Sequence, residues 1–287
     1  MATLQEVKSR INSVQNIQKV TRAMKMVAAA KLKKAQQAIE QTRPYALKIN
    51  SLLNQLLPDV DRSINPLLEV REPEKVGIVV MTADRGLCGA FNSKIIRRTE
   101  EEVKKYDPEN VNLICIGKKG RNYFRRREFN IIGEYIDFFR DLEFTNATSI
   151  VDTITNLYVD HGLDRVDVIY NRFKNVIQQI VEVEQFLPLI VEEDTAQESV
   201  SEVLLEPNME DIVNSLVPRH LNVQMWRMLL ESNASEQGAR RTAMDNATSN
   251  AEEMIEDLQM QYNKERQATI TREISEIVGG AEAMKES

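Results

Sequence analysis

LQEVKSRINSVQNIQKVTRAMKMVAAA, residues 4–30, holds no glycine and no proline and repeats its apolar side chains at a fixed spacing. Leu4, Val7, Ile11, Val14, Ile17, Val20, Met24 and Val27 follow at steps of three and four, one face of a helix. The steps come close to a coiled-coil seam without keeping a strict heptad. The stripe then turns small, through Ala28, Ala29, Ala30, Ala35 and Ala38, and small residues let a partner helix approach closely. Pro44 is expected to bend the helix or open it locally. Leu47, Leu52, Leu53, Leu56 and Leu57 close the segment before Pro58. Residues 1–57 therefore read as one helix, roughly 85 Å long at 1.5 Å per residue.

The other end of the chain repeats the pattern. Residues 211–287 carry one proline, Pro218, and no glycine before Gly238, enough for a helix of roughly 115 Å. Ile212, Leu216, Val223, Trp226 and Leu230 lie at heptad-compatible spacing. The stretch 232–251, SNASEQGARRTAMDNATSNA, has Met244 as its one bulky apolar side chain. Met254, Leu258, Tyr262, Ile270, Ile274, Ile277, Ala281 and Met284 then resume a stripe. Pairing the two helices antiparallel buries both stripes; the alternative packs each helix separately on the central domain. Pairing the bases, residue 57 with about 211, gives a register whose paired numbers sum to about 268. Met24 then falls within about a turn of Arg240 and Arg241, a coil contact zone. The N-terminal helix runs out opposite about residue 267, so the tip beyond it has no partner within the chain.

Between the helices the pattern alternates strand and helix. Val76–Met81 and Val111–Ile116 are short apolar runs, as in buried parallel strands. Residues 90–106, 118–127 and 145–161 read as helices, the last with Thr145 or Asn146 as N-cap. Residues 131–138 read as an edge strand, and 165–172 and 176–186 as strands joined by a tight turn at Lys174-Asn175. The order predicts a doubly wound, Rossmann-like α/β domain over 74–190 with an antiparallel edge. Residues 191–210 read as an acidic loop with a short strand at 201–205.

Little in this domain promises chemistry. Thr82–Ala90 is a glycine-bearing turn after the first strand, where a dinucleotide fold binds phosphate. Yet neither G-x-G-x-x-G nor G-x-x-x-x-G-K-[ST] occurs. Asp84 and Arg85 are read as an ion pair shaping the turn. His161, at a helix C-terminus, and His220 have no evident nucleophile or metal partner. Cys88 and Cys115 read as small buried thiols, too few for a disulfide framework or a zinc site. No catalytic, cofactor or metal site is expected. No apolar run reaches the ~20 residues of a membrane span. The basic, acid-poor N-terminus resembles a presequence, but its helical pattern continues without a break, and it is read as mature structure.

Charge is uneven. The whole chain carries −7, whereas residues 1–43 hold nine Lys/Arg and two acids, a local +7. The acidic total argues against a nucleic-acid binder, and the basic helix implies an acidic partner.

Four stretches carry a family resemblance. They are Ile11–Lys31 (INSVQNIQKVTRAMKMVAAAK), Asp84–Asn92 (DRGLCGAFN), Ser235–Ala251 (SEQGARRTAMDNATSNA) and Ile270–Ala283 (ITREISEIVGGAEA). Together, and in this order, they resemble the gamma subunit of F-type ATP synthase, of bacterial type. The chloroplast form's cysteine-bearing insertion and a separate transit peptide are not evident. The resemblance implies a non-catalytic central rotor shaft, needing no cofactor. It would couple ion-driven rotation of a membrane c-ring to ATP synthesis or hydrolysis on the beta subunits. It implies alpha and beta subunits, an epsilon subunit and the c-ring as partners, and a peripheral place on the cytoplasmic side of a bacterial membrane.

By the same resemblance, Arg266 and Gln267, with Thr271 one turn on, match a catch that bonds a beta-subunit loop. Lys8, Arg10, Lys19, Arg22 and Lys25 form a basic face toward beta. The tip stripe Ile270, Ile274, Ile277, Ala281 and Met284 would sit in an alpha–beta sleeve. Glu206, in the acidic loop, would touch the c-ring as a foot. Two other readings remain open from the residues alone: a static coiled-coil tether with an α/β head, and a dinucleotide-type enzyme with helical arms. The second lacks its glycine fingerprint.

Overall fold

The computed structural model describes residues 3–160, 162–190 and 208–283. Helix α1 (Leu4–Leu56) opens the chain and helix α5 (Met209–Ala283) closes it. Between them lie β1 (Val76–Met81), α2 (Phe91–Val103), β2 (Val111–Ile116), α3 (Lys118–Arg125), β3 (Ile131–Tyr135), α4 (Phe144–Val159), β4 (Arg165–Phe173) and β5 (Gln179–Leu187). The chain folds as two compact units, one of residues 28–240, the other of residues 1–27 with 241–287. Both long helices contribute to both units, so the units cut across the segments marked out from the sequence.

In the larger unit the sheet runs β3-β2-β1-β4-β5. Strands β1 to β4 are parallel, and β5 returns antiparallel beside β4. Their apolar runs are buried on both sides, as a parallel sheet covered by helices requires. Val76, Ile78 and Val80 meet Phe91, Ile95 and Val103 of α2 and Phe124 of α3. Val79, Met81, Ile114 and Val168 meet Ile150 and Ile154 of α4, Leu53 of α1 and Leu221 of α5. In this unit the bases of both long helices pack on the sheet, the arrangement weighed as the alternative to pairing.

Local chemistry adjusts several boundaries. The N-cap of α4 is Glu143, not Thr145 or Asn146; its N–H donates to the Asn146 side chain at 2.8 Å. Strand β5 starts at Gln179 because the turn is longer than expected. The Asn175 carboxamide there accepts the N–H groups of Ile177 and Gln178 at 3.0 and 2.8 Å. Pro44 and Pro218 both lie inside helices that continue through them. Both are exposed, where water can serve the carbonyl each proline leaves free. His161 and the strand expected at 201–205 lie outside the described residues.

Gly117 joins β2 to α3 at φ +93, and a Cβ there would sit 2.0 Å from the Thr82 carbonyl oxygen. Gly117→Ala is therefore expected to lower stability by at least about 2 kcal/mol. Gly86→Ala, whose Cβ would meet only the Lys119 side chain at 3.7 Å, should stay within about 0.5 kcal/mol in the same urea titration. Equal losses would contradict the strained turn.

His220 is buried on α5. Burial, with Arg227 nearby, holds its imidazole down to about 4 from 6.5. The unfolded chain therefore binds the proton first, and stability falls as pH drops from 6.5 toward 4, by roughly 2–3 kcal/mol. His220→Gln should flatten that part of the stability–pH curve. An unchanged acid limb would show that other groups carry it.

Candidate partner-binding surfaces

The smaller unit is a two-stranded antiparallel coiled coil. Its apolar seam joins Val7, Ile11 and Val14 of α1 to Ala251, Ile255, Leu258 and Tyr262 of α5. Three polar pairs continue it. Gln18 donates to Glu252 at 3.0 Å, the Thr21 and Thr248 hydroxyls lie 2.9 Å apart, and Lys25 reaches Asp245 at 2.5 Å. The paired numbers sum to 270, 269 and 270, within two residues of the register expected from the helix bases.

The seam differs from the stripe read in the sequence. On α1 it runs Leu4, Val7, Ile11, Val14, Gln18, Thr21 and Lys25, a strict alternation of four and three. The apolar stripe instead steps from Val14 to Ile17 and Val20, which are 55% and 58% exposed, as is Val27 at 56%. The cause is geometric: a supercoiled pair keeps the 3.5-residue repeat in the interface, whatever residues occupy it. Polar side chains are tolerated there because each meets a polar partner. On α5 the seam takes Met244, Thr248, Ala251, Ile255 and Leu258, and leaves Met254 exposed.

The expected partner residues divide accordingly. Lys8, Arg10, Lys19 and Arg22 are exposed, whereas Lys25 turns into the seam against Asp245. With side chains 37% and 52% exposed, that ion pair adds at most about 1 kcal/mol. Arg266, Gln267 and Thr271 are exposed, and the Thr271 hydroxyl donates to the Gln267 carbonyl at 2.9 Å. One helical turn thus places residues 267 and 271 on one face. Ile270, Ile274 and Ile277 are 46%, 56% and 71% exposed, and Ala281 is exposed too. With α1 described from Leu4, the register leaves these residues of α5 without a partner among the described residues of α1. Met284 and Glu206 lie outside the described residues.

The contact zone expected around Met24 and Arg240 falls across the two units. Met24 is half-buried beside the seam. Arg240 is engaged within the larger unit, where its guanidinium donates to the Gly86 carbonyl and to Glu236. The turn after β1 is built differently from the expected Asp84–Arg85 ion pair. Asp84 instead accepts the backbone N–H groups of Lys118 and Asp137 at 3.0 and 3.1 Å, and Arg85 is exposed. An aspartate oxygen serving two amide donors spans three loops, which a surface ion pair could not do. The Asn92 carboxamide accepts the Ala83 N–H at 2.8 Å. Cys88 and Cys115 are buried thiols, and burial pushes Cys115 up to about 12.

A cleft of about 440 Å³ opens between α1, the β4–β5 hairpin and α5, lined in part by Leu47, Glu184, Arg227 and Glu231. Its charges answer one another: Arg227 donates to Glu184 at 2.7 and 2.9 Å and to Glu231 at 3.4 Å. Burial raises the Glu184 carboxyl, but Arg227 and the hydrogen bonds from Gln224, Arg227 and Tyr170 outweigh it and hold Glu184 below its ordinary value. Such a cluster ties α5 to the sheet. Among the described residues, no group of three His, Cys, Asp or Glu could hold a metal ion. No described helix is long and apolar enough to cross a membrane.

The surfaces expected to bind partners, on the coil and at the end of α5, are exposed. A family model described as ATP synthase matches residues 3–284. The ATP synthase gamma chain of Chlorobium phaeobacteroides (strain DSM 266) is 46% identical over 99% of this chain and 100% of its own length. That of Chloroherpeton thalassium is 46% identical over 100% of both. Among solved structures, a chain of the Tetrahymena thermophila mitochondrial ATP synthase central stalk and c-ring is 27% identical. It covers 79% of this chain and 99% of its own, with a TM-score of 0.61. A chain of the Euglena gracilis mitochondrial ATP synthase has the same fold at 21% identity, covering 98% of this chain and 94% of its own, with a TM-score of 0.73. Matched from end to end by model and relatives alike, this chain belongs to the family of ATP synthase gamma chains.

Proposed function

We propose that the chain is the central rotor shaft of an F-type ATP synthase. The observation that carries this reading is the exposed apolar stripe Ile270, Ile274 and Ile277 on a helix that has outrun its partner. A single helix of this length is marginal in water, so the stripe calls for an apolar surface supplied by other chains. A ring of alpha and beta subunits supplies it as a sleeve. Smooth apolar contact suits a turning part, because it lacks the directional bonds that would favour one angle. An asymmetric shaft stabilises a different conformation in each surrounding subunit, and rotation then cycles their nucleotide affinities.

The chain's own groups perform no bond chemistry in this role. In its cleft Arg227 is paired with Glu184 and Glu231, and the turn after β1 lacks a phosphate fingerprint. Catalysis falls to the beta subunits and ion translocation to the c-ring, for which the acidic segment containing Glu206 is the proposed contact. The epsilon subunit is the remaining partner. The complex holds the chain peripherally on the cytoplasmic side of a bacterial membrane. Lys8, Arg10, Lys19 and Arg22 offer an outward basic face for an acidic segment of beta. Arg266, Gln267 and Thr271 form a polar catch for one of its loops. The static-tether reading differs in one respect: a tether holds one partner in one pose, while a shaft serves three beta subunits in turn.

Hydrogen exchange tests the sleeve. Residues 268–283 should exchange fast in the isolated chain and slowly in the assembled complex. Strong protection in the isolated chain would mean that the stripe is covered intramolecularly. Alanine at Arg266 or Gln267 tests the catch. Turnover of the assembled complex should fall several-fold, as expected for a lost coupling contact, while the isolated chain melts within about 2 °C of the unsubstituted protein. Parallel losses of turnover and stability would assign these side chains to folding.

A further inference from the structure

Strands β1 and β4 lie side by side and parallel at the centre of the sheet, and the helices that adjoin them pack on opposite faces. At such a position a doubly wound domain opens a crevice beyond the carboxyl ends of its strands, where ligands bind. Here α5 fills it. Ser232, Ala234, Ser235, Glu236 and Gln237 are all buried. The Ser235 hydroxyl donates to the Asn171 carbonyl, near the end of β4, at 2.9 Å. A Cβ on Gly238 would lie 3.4 Å from the Phe173 ring, in van der Waals contact with the end of β4, so α5 packs closely here. From the next turn, Arg240 donates to the Gly86 carbonyl in the turn that follows β1.

We propose that this crevice is a socket for the chain's own C-terminal helix, and that Arg240 is the positioning residue that sets the helix's rotation within it. The consequence for torque rests on the rotor-shaft reading. The receiving turn is rigid, since Asp84 and Asn92 bond it to the loops and helix around it. A helix places successive side chains about 100° apart, so a small rotation of α5 about its axis takes the guanidinium off the Gly86 carbonyl. Glu236 holds the guanidinium from below, one turn back on α5. The pair is desolvated, with side chains 11% and 7% exposed. Breaking one half of such a pair is costly, because it strands the other charge. Torque applied to the head thus reaches α5 through a keyed joint, and α5 is continuous from Met209 to Ala283. The segment Asp84–Asn92, which looks like a degenerate phosphate turn, is by this account the keyway.

The test compares Arg240→Gln with Arg219→Gln, a control at an exposed position of the same helix. In the isolated chain, amide exchange over residues 85–90 should rise at least about tenfold in Arg240→Gln, the size of one lost charge-assisted hydrogen bond, and stay unchanged in the control. In the complex assembled with alpha, beta and the membrane sector, ions pumped per ATP hydrolysed should fall about fivefold while hydrolysis persists. If Arg240→Gln does not assemble, Arg240→Lys is measured instead. Its ammonium keeps the charge but lacks the planar fork that holds both acceptors in fixed directions, so the same changes are expected at smaller size. Unchanged exchange overturns the joint itself. Raised exchange with full pumping overturns its role in transmission. Failure of the shaft reading shows separately, as an unsubstituted chain that neither assembles with alpha and beta nor supports pumping.

Discussion

Helix α5 answers to two different partners along its length, and the rest of the structure follows from how it meets each. Up to Arg240 it packs on the sheet and on the C-terminal part of α1, whose Leu32 and Ala35 meet Ala234. From Arg241 it pairs with the start of α1 through a seam of heptad spacing. The small-residue stretch 232–251 serves both. Its first part admits the β4–β5 hairpin and the turn after β1. Its second part supplies Thr248 and Asp245, the polar layers that face Thr21 and Lys25.

Those polar layers bear on specificity more than on strength. Three pairs, two of them largely exposed, contribute little energy against the apolar layers around Val7, Val14, Ala251 and Leu258. Sliding α1 by one heptad would keep apolar residues in the interface but would separate all three pairs. A polar layer inside a coiled coil commonly fixes register in this way. The cost is an apolar stripe at Ile17, Val20 and Val27 that the coil leaves on its surface, available to other chains.

Much of the architecture was legible in the chain itself. Strands β1 and β2 fall on the residues expected of them, because a short, largely apolar run between turn signals has few other uses. The antiparallel register came within two residues, since the helix bases are marked by Pro58 and the acidic segment before Asp211. The unpartnered end of α5 followed from that register by counting. The family was legible too, in four motifs spread from Ile11 to Ala283.

What stayed hidden depends on partners distant in sequence. Apolarity alone pointed to Ile17 and Val20, because nothing in α1 discloses that Gln18 and Lys25 will find Glu252 and Asp245 more than two hundred residues away. Lys25 looks like its neighbours in the basic run and differs only by facing inward. Asp84 beside Arg85 suggests an ion pair, yet the N-terminus of α3 and the loop at Asp137 bring amide donors that suit a carboxylate better. Arg240 reads as part of a coil contact zone with Met24, until the turn after β1 supplies the Gly86 carbonyl. The sequence by itself determined elements, register and family, because these rest on spacing along one chain. Which side chains face a partner, and which polar groups are spent within the fold, only the tertiary structure decided, because a hydrogen bond requires both of its ends in place.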